Sequence, residues 1–500
     1  MLTNSWMKIK EKFKSEPFLW FTLIFFGVLM FLIPVCNHYF FRTHNFDYAA
    51  YNFAFYDYAH FRVSPSPIYF VEGMSFLQDH LSFTFFFFIP FYWLFSWIFG
   101  TYTLLVLQSA FILYGGWAVY RLIDLETKSK LFATLALVLY FVSFGRYSSF
   151  LTDTNLMIFI SSVVPVFLYH FYKGDYKLSI FWFAFLLLGR EIIPLLTIFI
   201  ALMLMIVFRK DKKRLKYSVW FGAVSLVYFV VAFKFLIPLV EDPNRPFGLF
   251  NYAALGEGPA EALKFMITHP IDSFLLLFEN HTGEAITAGV KTEWYQVYMI
   301  SGGTILLLRP YYILPLVPIV LGKMYNDSAI RWSIESYYSI EIVSLLPVLV
   351  FLTLNEMKWK KIATGLGVMA CVGAVVMTLY KVENKNRVMI GWYDNVKYKF
   401  YDSRMYDSEY DHKQIYKYLD KIPSDAKVCA SLHLTPHLSF RSVIHQFPRV
   451  DEAEYIALLK DDQTFPFEQD FYNSELAKYL ESDEWNVEVE DEEFIMLIRK

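Results

Sequence analysis

The sequence predicts an α-helical polytopic membrane protein that ends in a small water-soluble α/β domain, and three observations carry that prediction. Hydrophobic residues make up 56% of the chain and charged residues only 19%, against about a quarter charged in an ordinary soluble domain. The apolar residues lie in long runs such as PFLWFTLIFFGVLMFLIPVC (Pro17–Cys36), which matches the roughly 20 residues that cross bilayer hydrocarbon. The last stretch differs: from Val382 onward the chain carries 24 acidic and 15 basic residues, net −9, while the remainder carries +6. The expected units are a transmembrane helical domain at 1–381, with a long first outer loop at 37–101, and a soluble domain at 382–500.

The run Pro17–Cys36 is too long for a secretory signal and lacks a small-residue cleavage site, so it reads as a retained anchor. Basic clusters at Lys8–Lys14, Arg121–Lys130, Lys173–Lys177, Arg209–Lys216 and Lys358–Lys361 should all face the cytoplasm. Threading the chain through them predicts about eleven spans, near 17–36, 102–121, 131–147, 156–172, 178–190, 192–208, 217–240, 294–308, 311–325, 337–354 and 361–380. The short ones must be tilted, broken or buried in the bundle. Phe83–Gly100 (FTFFFFIPFYWLFSWIFG) is read as a helix at the outer interface. Counting it as a span would put the six basic residues of 209–216 outside. The N-terminus is then cytoplasmic and the C-terminal domain extracytoplasmic, in a multi-pass protein of the cell membrane.

On the outer side fall 37–82, 146–155, 190–191, 241–293 and 326–336. Within 241–293, GEGPAEALKFMITHP reads as a glycine-rich turn and a short amphipathic helix ended by Pro270. In the tail, KVCASLHL, SVIHQFPRV, EYIALLK, WNVEVED and EEFIMLIRK read as short strands, with helices at Glu409–Leu419 and Ser474–Leu480.

Candidate chemistry concentrates in the first outer loop. THNFDYAAYNFAFYDYAHF places Asp47, Tyr51, Ala54, Phe55 and Tyr58 at helical spacing, a carboxylate beside aromatic rings. LQDHLSF adds Asp79 and His80. An acid near a membrane surface suits general-base work; as a plain structural residue Asp47 would cap the loop helix. In GREIIPL, Arg190 and Glu191 interrupt an apolar stretch, where charges face a cavity or each other. Arg190 suits a phosphate, or the two form an ion pair. Asp153 in SFLTDTNLM is a third outer carboxylate, readable as substrate-binding or as a helix cap. Arg146, Lys291 and Arg331 are further anion ligands or solvated loop residues. His433, His437, Arg441 and His445 read as loop and strand-end hydrogen bonders.

A metal is conceivable among His38, His44, Asp47, Asp57, His60, Asp79 and His80, but none has ligand spacing. No metal site is assigned, and the cofactor, a divalent metal included, is unknown. Cys36, Cys371 and Cys429 lie far apart and read as inert. Nucleic-acid binding has no support, because no basic patch sits beside a soluble reading surface.

The ordered series FDYAAYNFAFYDY, FLQDHLSF, IPFYWLF, LLVLQSAFILYGGWAVYRL, GREIIPL, RPYYILPLVPIVLG, ESYYSIEIVSLLP and TPHLSFRSVIHQFPRVDEAEY resembles the membrane family catalogued as domain of unknown function 2079. The chain departs from that pattern at Leu81, Thr154 and Ser336. The family is similar in layout to membrane glycosyltransferases of the C type (GT-C), which carry an essential carboxylate in the first outer loop. The resemblance implies transfer of a sugar from a polyprenyl-phosphate donor at the outer face of the cytoplasmic membrane. Asp47 would be the base, with Asp79 and His80 assisting. Tyr51, Glu191 and Asp153 would contact substrate, and Arg190 and Arg331 would hold the lipid phosphate. Its partners would be membrane lipids, that donor and an unidentified acceptor. A transporter or flippase of a lipid-linked substrate, and a non-catalytic scaffold, are the alternatives.

Overall fold

The computed structural model of the chain describes residues 15–65, 74–151, 153–241, 250–384 and 399–500. Five helical stretches in it are long and apolar enough to cross a membrane: Pro17–Tyr39, Thr84–Thr127, Leu156–Lys173, Lys212–Val240 and Lys360–Glu383. Five shorter apolar helices, Lys130–Val142, Tyr176–Leu187, Ile193–Val207, Pro310–Met324 and Ile340–Asn355, join them. Several expected spans are broken. The 131–147 run divides at Ser143 into Lys130–Val142 and Phe144–Ser149, and 294–308 ends in a 3-10 turn at Gly303–Leu308. Helix Leu156–Lys173 is buried over most of its length, at the centre of the bundle.

The basic clusters among the described residues meet at one end of this bundle; Lys8–Lys14 lies outside the described residues. The Glu16 carboxylate takes both Arg121 Nη atoms, at 2.8 and 2.7 Å, and Lys130 Nζ at 2.6 Å. Arg214 donates to Tyr172 O at 2.6 Å and Asn355 to Glu126 O at 3.3 Å. The aromatic run after the first loop forms helix Thr84–Phe99, joined through Gly100 (φ +51°) to helix Thr103–Thr127. Its two ends touch elements away from that basic end. Phe83 N donates to Leu188 O, next to Arg190, while Tyr48 and Asn52 of the first loop donate to Thr101 O.

Short apolar runs in the tail make a five-stranded sheet: β1 (Val428–Ala430), β2 (Ile444–Gln446), β3 (Tyr455–Leu459), β4 (Trp485–Glu490) and β5 (Phe494–Arg499), in the order β2-β1-β3-β5-β4. β1 runs parallel to β2 and β3; β5 is antiparallel to β3 and β4. Period-two geometry sends Ala457 and Met496 to one face and Ile456, Leu458 and Leu497 to the other. The first face is covered by helix His412–Leu419 and also by Phe41, Ala49 and Phe53 of the first loop. The sheet therefore shares a core with the loop. Arg42 strengthens that junction, donating to Met405 O at 2.8 Å and to Arg404 O at 3.2 Å.

Candidate functional site

The turn that presents Asp47 is a π-helical segment, Asn45–Ala49, running into helix Ala50–Ala59. Tyr51, Ala54, Phe55 and Tyr58 pack inward, with Tyr51 edge-on to Phe76 at 5.2 Å and Tyr58 stacked on Phe86 at 4.9 Å. A π turn inserts a residue into the helical ladder, and such turns recur at functional sites. Asp47 is partly accessible, and it is not the cap that the plain structural reading expects. The residue before the π segment is His44, which makes no side-chain cap bond, and the Asp47 carboxylate has no hydrogen bond or ion pair among the described residues.

Three residues of the turn are gripped from outside it. Asp153 Oδ2 accepts His44 N–H at 2.7 Å; Asn45 Nδ2 donates to Gln446 Oε1; the Phe46 ring meets Phe465 at 5.3 Å. His44 also faces the ring of His433, which Asp462 holds through both its backbone N–H and Nδ1. The bundle and the sheet domain thus jointly fix Asp47.

Burial pushes the Asp47 carboxyl up to about 7, with the Asp153 and Asp79 carboxylates adding to the push and Arg190 opposing it. Asp79 and His80 close the short helix Phe76–Asp79, and Asp79 Oδ2 is 3.3 Å from His80 Nε2. Arg190 Nη2 lies 2.7 Å from His80 Nδ1 and 2.8 Å from Nε2. A guanidinium can only donate, so this imidazole accepts. Burial, with Arg190 and Arg331 beside it, holds His80 well below the ordinary histidine range. Arg190 is 3.7 Å from Glu191 Oε1, so the ion pair exists but does not occupy the whole guanidinium. Arg331 is exposed on the same side.

The structure therefore brings Asp47, Tyr51, Asp79, His80, Asp153, Arg190, Glu191 and Arg331 into one neighbourhood. Tyr51 is a buried wall residue whose hydroxyl feels Asp47 and Arg190. Asp153 does not cap helix Leu156–Lys173. Asn155 does, accepting Met157 N–H at 2.9 Å, while Asp153 sits at φ +62° and ties down the first loop. Arg146 is not a solvated loop residue. It is 0% exposed, donates to Ser344 at 2.7 Å and lies over the Tyr140 ring at 4.2 Å. Lys291 is also buried, donating to Leu276 O at 2.5 Å.

Sequence reasoning missed four members. Tyr337 and Tyr338, with rings 4.6 Å apart, lie where Asp47 acts on both hydroxyls and Arg190 and Arg331 act on the second. Lys323 is 5.7 Å from the Tyr338 ring centre and 4.0 Å from Glu341 Oε2. A lone lysine in PIVLGKMYN and a lone glutamate in YSIEIVSLL are charges within apolar runs, the signal that picked out Arg190.

The seven metal candidates do not form a ligand set. His38 is bonded to Thr43 and Thr101, Asp57 to Arg62 and Ser64, and His60 to Tyr56 O. Among the described residues, only His445, Asp451 and Glu452 gather three donor groups, and they lie in the sheet domain.

The model of a family described as predicted membrane protein (DUF2079) matches residues 37–496 of the chain. No curated protein matches it.

Proposed function

The chain belongs to that family of predicted membrane proteins, and on this footing we propose that it is a GT-C-like glycosyltransferase using a polyprenyl-phosphate-linked sugar. The likeness to C-type transferases is one of layout. The observation that carries the reading is the Asp47 carboxylate: partly accessible, without a hydrogen bond or ion pair among the described residues, held near neutrality and set beside Arg190. A base poised near the working pH is the efficient one. In the reaction, Asp47 takes the proton of an acceptor hydroxyl as its oxygen bonds to the anomeric carbon. The bond from that carbon to the lipid phosphate breaks, and its electron pair leaves with the phosphate. Arg190 and Arg331 stabilise the departing anion, which a planar guanidinium fork suits. His80 and Glu191 position Arg190, and Asp79 keeps the Asp47 proton affinity high.

Clustering of these groups away from the end where the basic clusters gather supports an enzyme over a transporter, whose charges would line a path through the bundle. With the basic end cytoplasmic, the cluster and the sheet domain face outward. Polyprenyl phosphate binding to the purified protein in nanodiscs tests the anion site. Arg190→Ala and Arg331→Ala should each weaken binding about tenfold or more, as expected for loss of a charge-assisted bond of roughly 1.5–3 kcal/mol. Unchanged binding in both variants would contradict the assignment.

A further inference from the structure

The amphipathic stretch after the glycine-rich turn is not absorbed by the site. It forms two short helices, Pro259–Thr268 and Pro270–Leu276, separated at His269. Their ends are anchored to one loop. At the start, Asp327 N donates to Asn251 O at 3.0 Å, and Ala253 N donates to the Asp327 carboxylate at 2.9 Å. At the far end, His281 Nε2 lies 3.2 Å from Asn326 O. A segment that leaves and returns at Asn326–Asp327 does not cross the bilayer. That loop leads directly into Arg331, so the excursion lies on the Asp47 side.

One face of the pair has its own small core, in which Ala262, Phe265, Met266, Leu276 and Leu277 pack with Leu255, Leu321 and Tyr325. Tyr325 also donates to Ser273 O at 3.0 Å. The opposite face carries Leu263, Ile267, Ile271, Phe274 and Phe278 at helical spacing, with Ile267 70% and Ile271 73% exposed. Scattered exposed apolar residues are ordinary, but a contiguous stripe marks a surface that meets something apolar. Glu261, Lys264 and Asp272 stay exposed beside the stripe, the layout of a helix lying in the plane of a membrane interface. The stripe leads towards the membrane-facing surface. Phe278 packs on Tyr295 at 4.9 Å, and Tyr295 belongs to helix Val290–Ile300, whose far end packs on the spanning helix Lys360–Glu383 with Met299 and Ile300 exposed.

We propose that Pro259–Leu276 is an in-plane membrane anchor whose Leu263–Phe278 stripe is immersed among the acyl chains of the leaflet on the Asp47 side. It stands on the contacts above and does not require sugar transfer. By tethering the Asn326–Arg331 loop at the bilayer surface, the anchor sets Arg331 at the level of lipid headgroups.

The unaltered protein in nanodiscs carrying a phospholipid with a photoreactive diazirine at mid-acyl chain tests this. Mass spectrometry should find lipid adducts on peptides covering 263–278 as well as on those of helix Lys360–Glu383. Adducts on the spanning helix with none on 263–278 would overturn the proposal. Spin labels at the exposed positions Ile267, Ile271 and Phe274, with half-buried Cys36 replaced by Ala, give a second readout. These labels should collide more with oxygen than with a water-soluble nickel complex, with the reverse at Lys264 and Asp272. Equal nickel accessibility at all five positions would also overturn it. Because neither readout measures turnover, failure here and failure of the transferase reading are separate results.

Discussion

Asp153 Oδ2 accepts the backbone N–H of His44 at 2.7 Å, so a residue between two bundle helices holds the start of the turn that carries Asp47. Gln108 Nε2 fixes Asp153 in turn, donating to its carbonyl oxygen at 3.0 Å. The partly accessible carboxylate is thereby referenced to the most buried part of the bundle.

Asp153→Ala should cost stability twice. Ala lacks the short polar side chain that lets Asp and Asn adopt φ +62°, so part of the roughly 1–2 kcal/mol left-handed cost appears, and the stranded His44 N–H costs roughly 1–3 kcal/mol more. Asp153→Asn tolerates that backbone and keeps an acceptor, so its melting temperature should stay near the parent's while the Ala variant falls by several degrees. Thermal unfolding of the two variants in nanodiscs checks this.

Asp47 should weaken the fold at neutral and alkaline pH. Its carboxyl is pushed up to about 7 in the folded chain from 3.8. Above about 7 the folded state therefore holds a largely buried charge that the unfolded state solvates freely. The penalty is absent below about 4, grows as pH rises through this window and is complete above 7, on the order of 4 kcal/mol. Asp47→Asn should then be more stable than the parent at pH 8 and equal to it near pH 4. Equal stability at both would remove the raised proton affinity.

The C-terminal sheet should depend on the first loop. Phe41, Ala49 and Phe53 complete one face of its core, and losing a buried Phe ring costs about 3–5 kcal/mol. Phe53→Ala should loosen the tail in the intact protein, read as faster amide exchange in β1 and β3. In residues 399–500 expressed alone, β1 and β3 should exchange amide hydrogens faster than the same strands in the intact protein.

The bundle's orientation follows from the charge clusters. A cysteine replacing exposed Asp470 should react with an impermeant maleimide added outside intact cells, and one replacing exposed Lys212 should not. The opposite pattern would turn the protein over.

Sequence order made some of this readable. Short apolar runs in KVCASLHL and EEFIMLIRK announce β1 and β5, because a short run bounded by polar residues needs only neighbouring positions to be read. Asp47 and Arg190 stand out as polar groups beside long apolar runs. Asp153 misled because its partner, His44, is 109 residues away, whereas the capping pattern that competes with it is local. Arg146 misled likewise: its partners Ser162 and Ser344 come from two other helices. Tyr337 and Tyr338 look like ordinary aromatics of an apolar stretch until the bundle sets them against Asp47.

The central claim, that Asp47 is the base for sugar transfer, is tested most directly by turnover of Asp47→Asn in nanodiscs with a radiolabelled polyprenyl-phosphate sugar and a membrane extract as acceptor source. Asn preserves shape while removing the proton-accepting charge, so the account predicts normal folding with transfer reduced by about 10²–10⁴. Transfer by the parent should also fall as pH drops below about 7, as the carboxylate of Asp47 is protonated. Full transfer by the folded Asn variant would contradict the account.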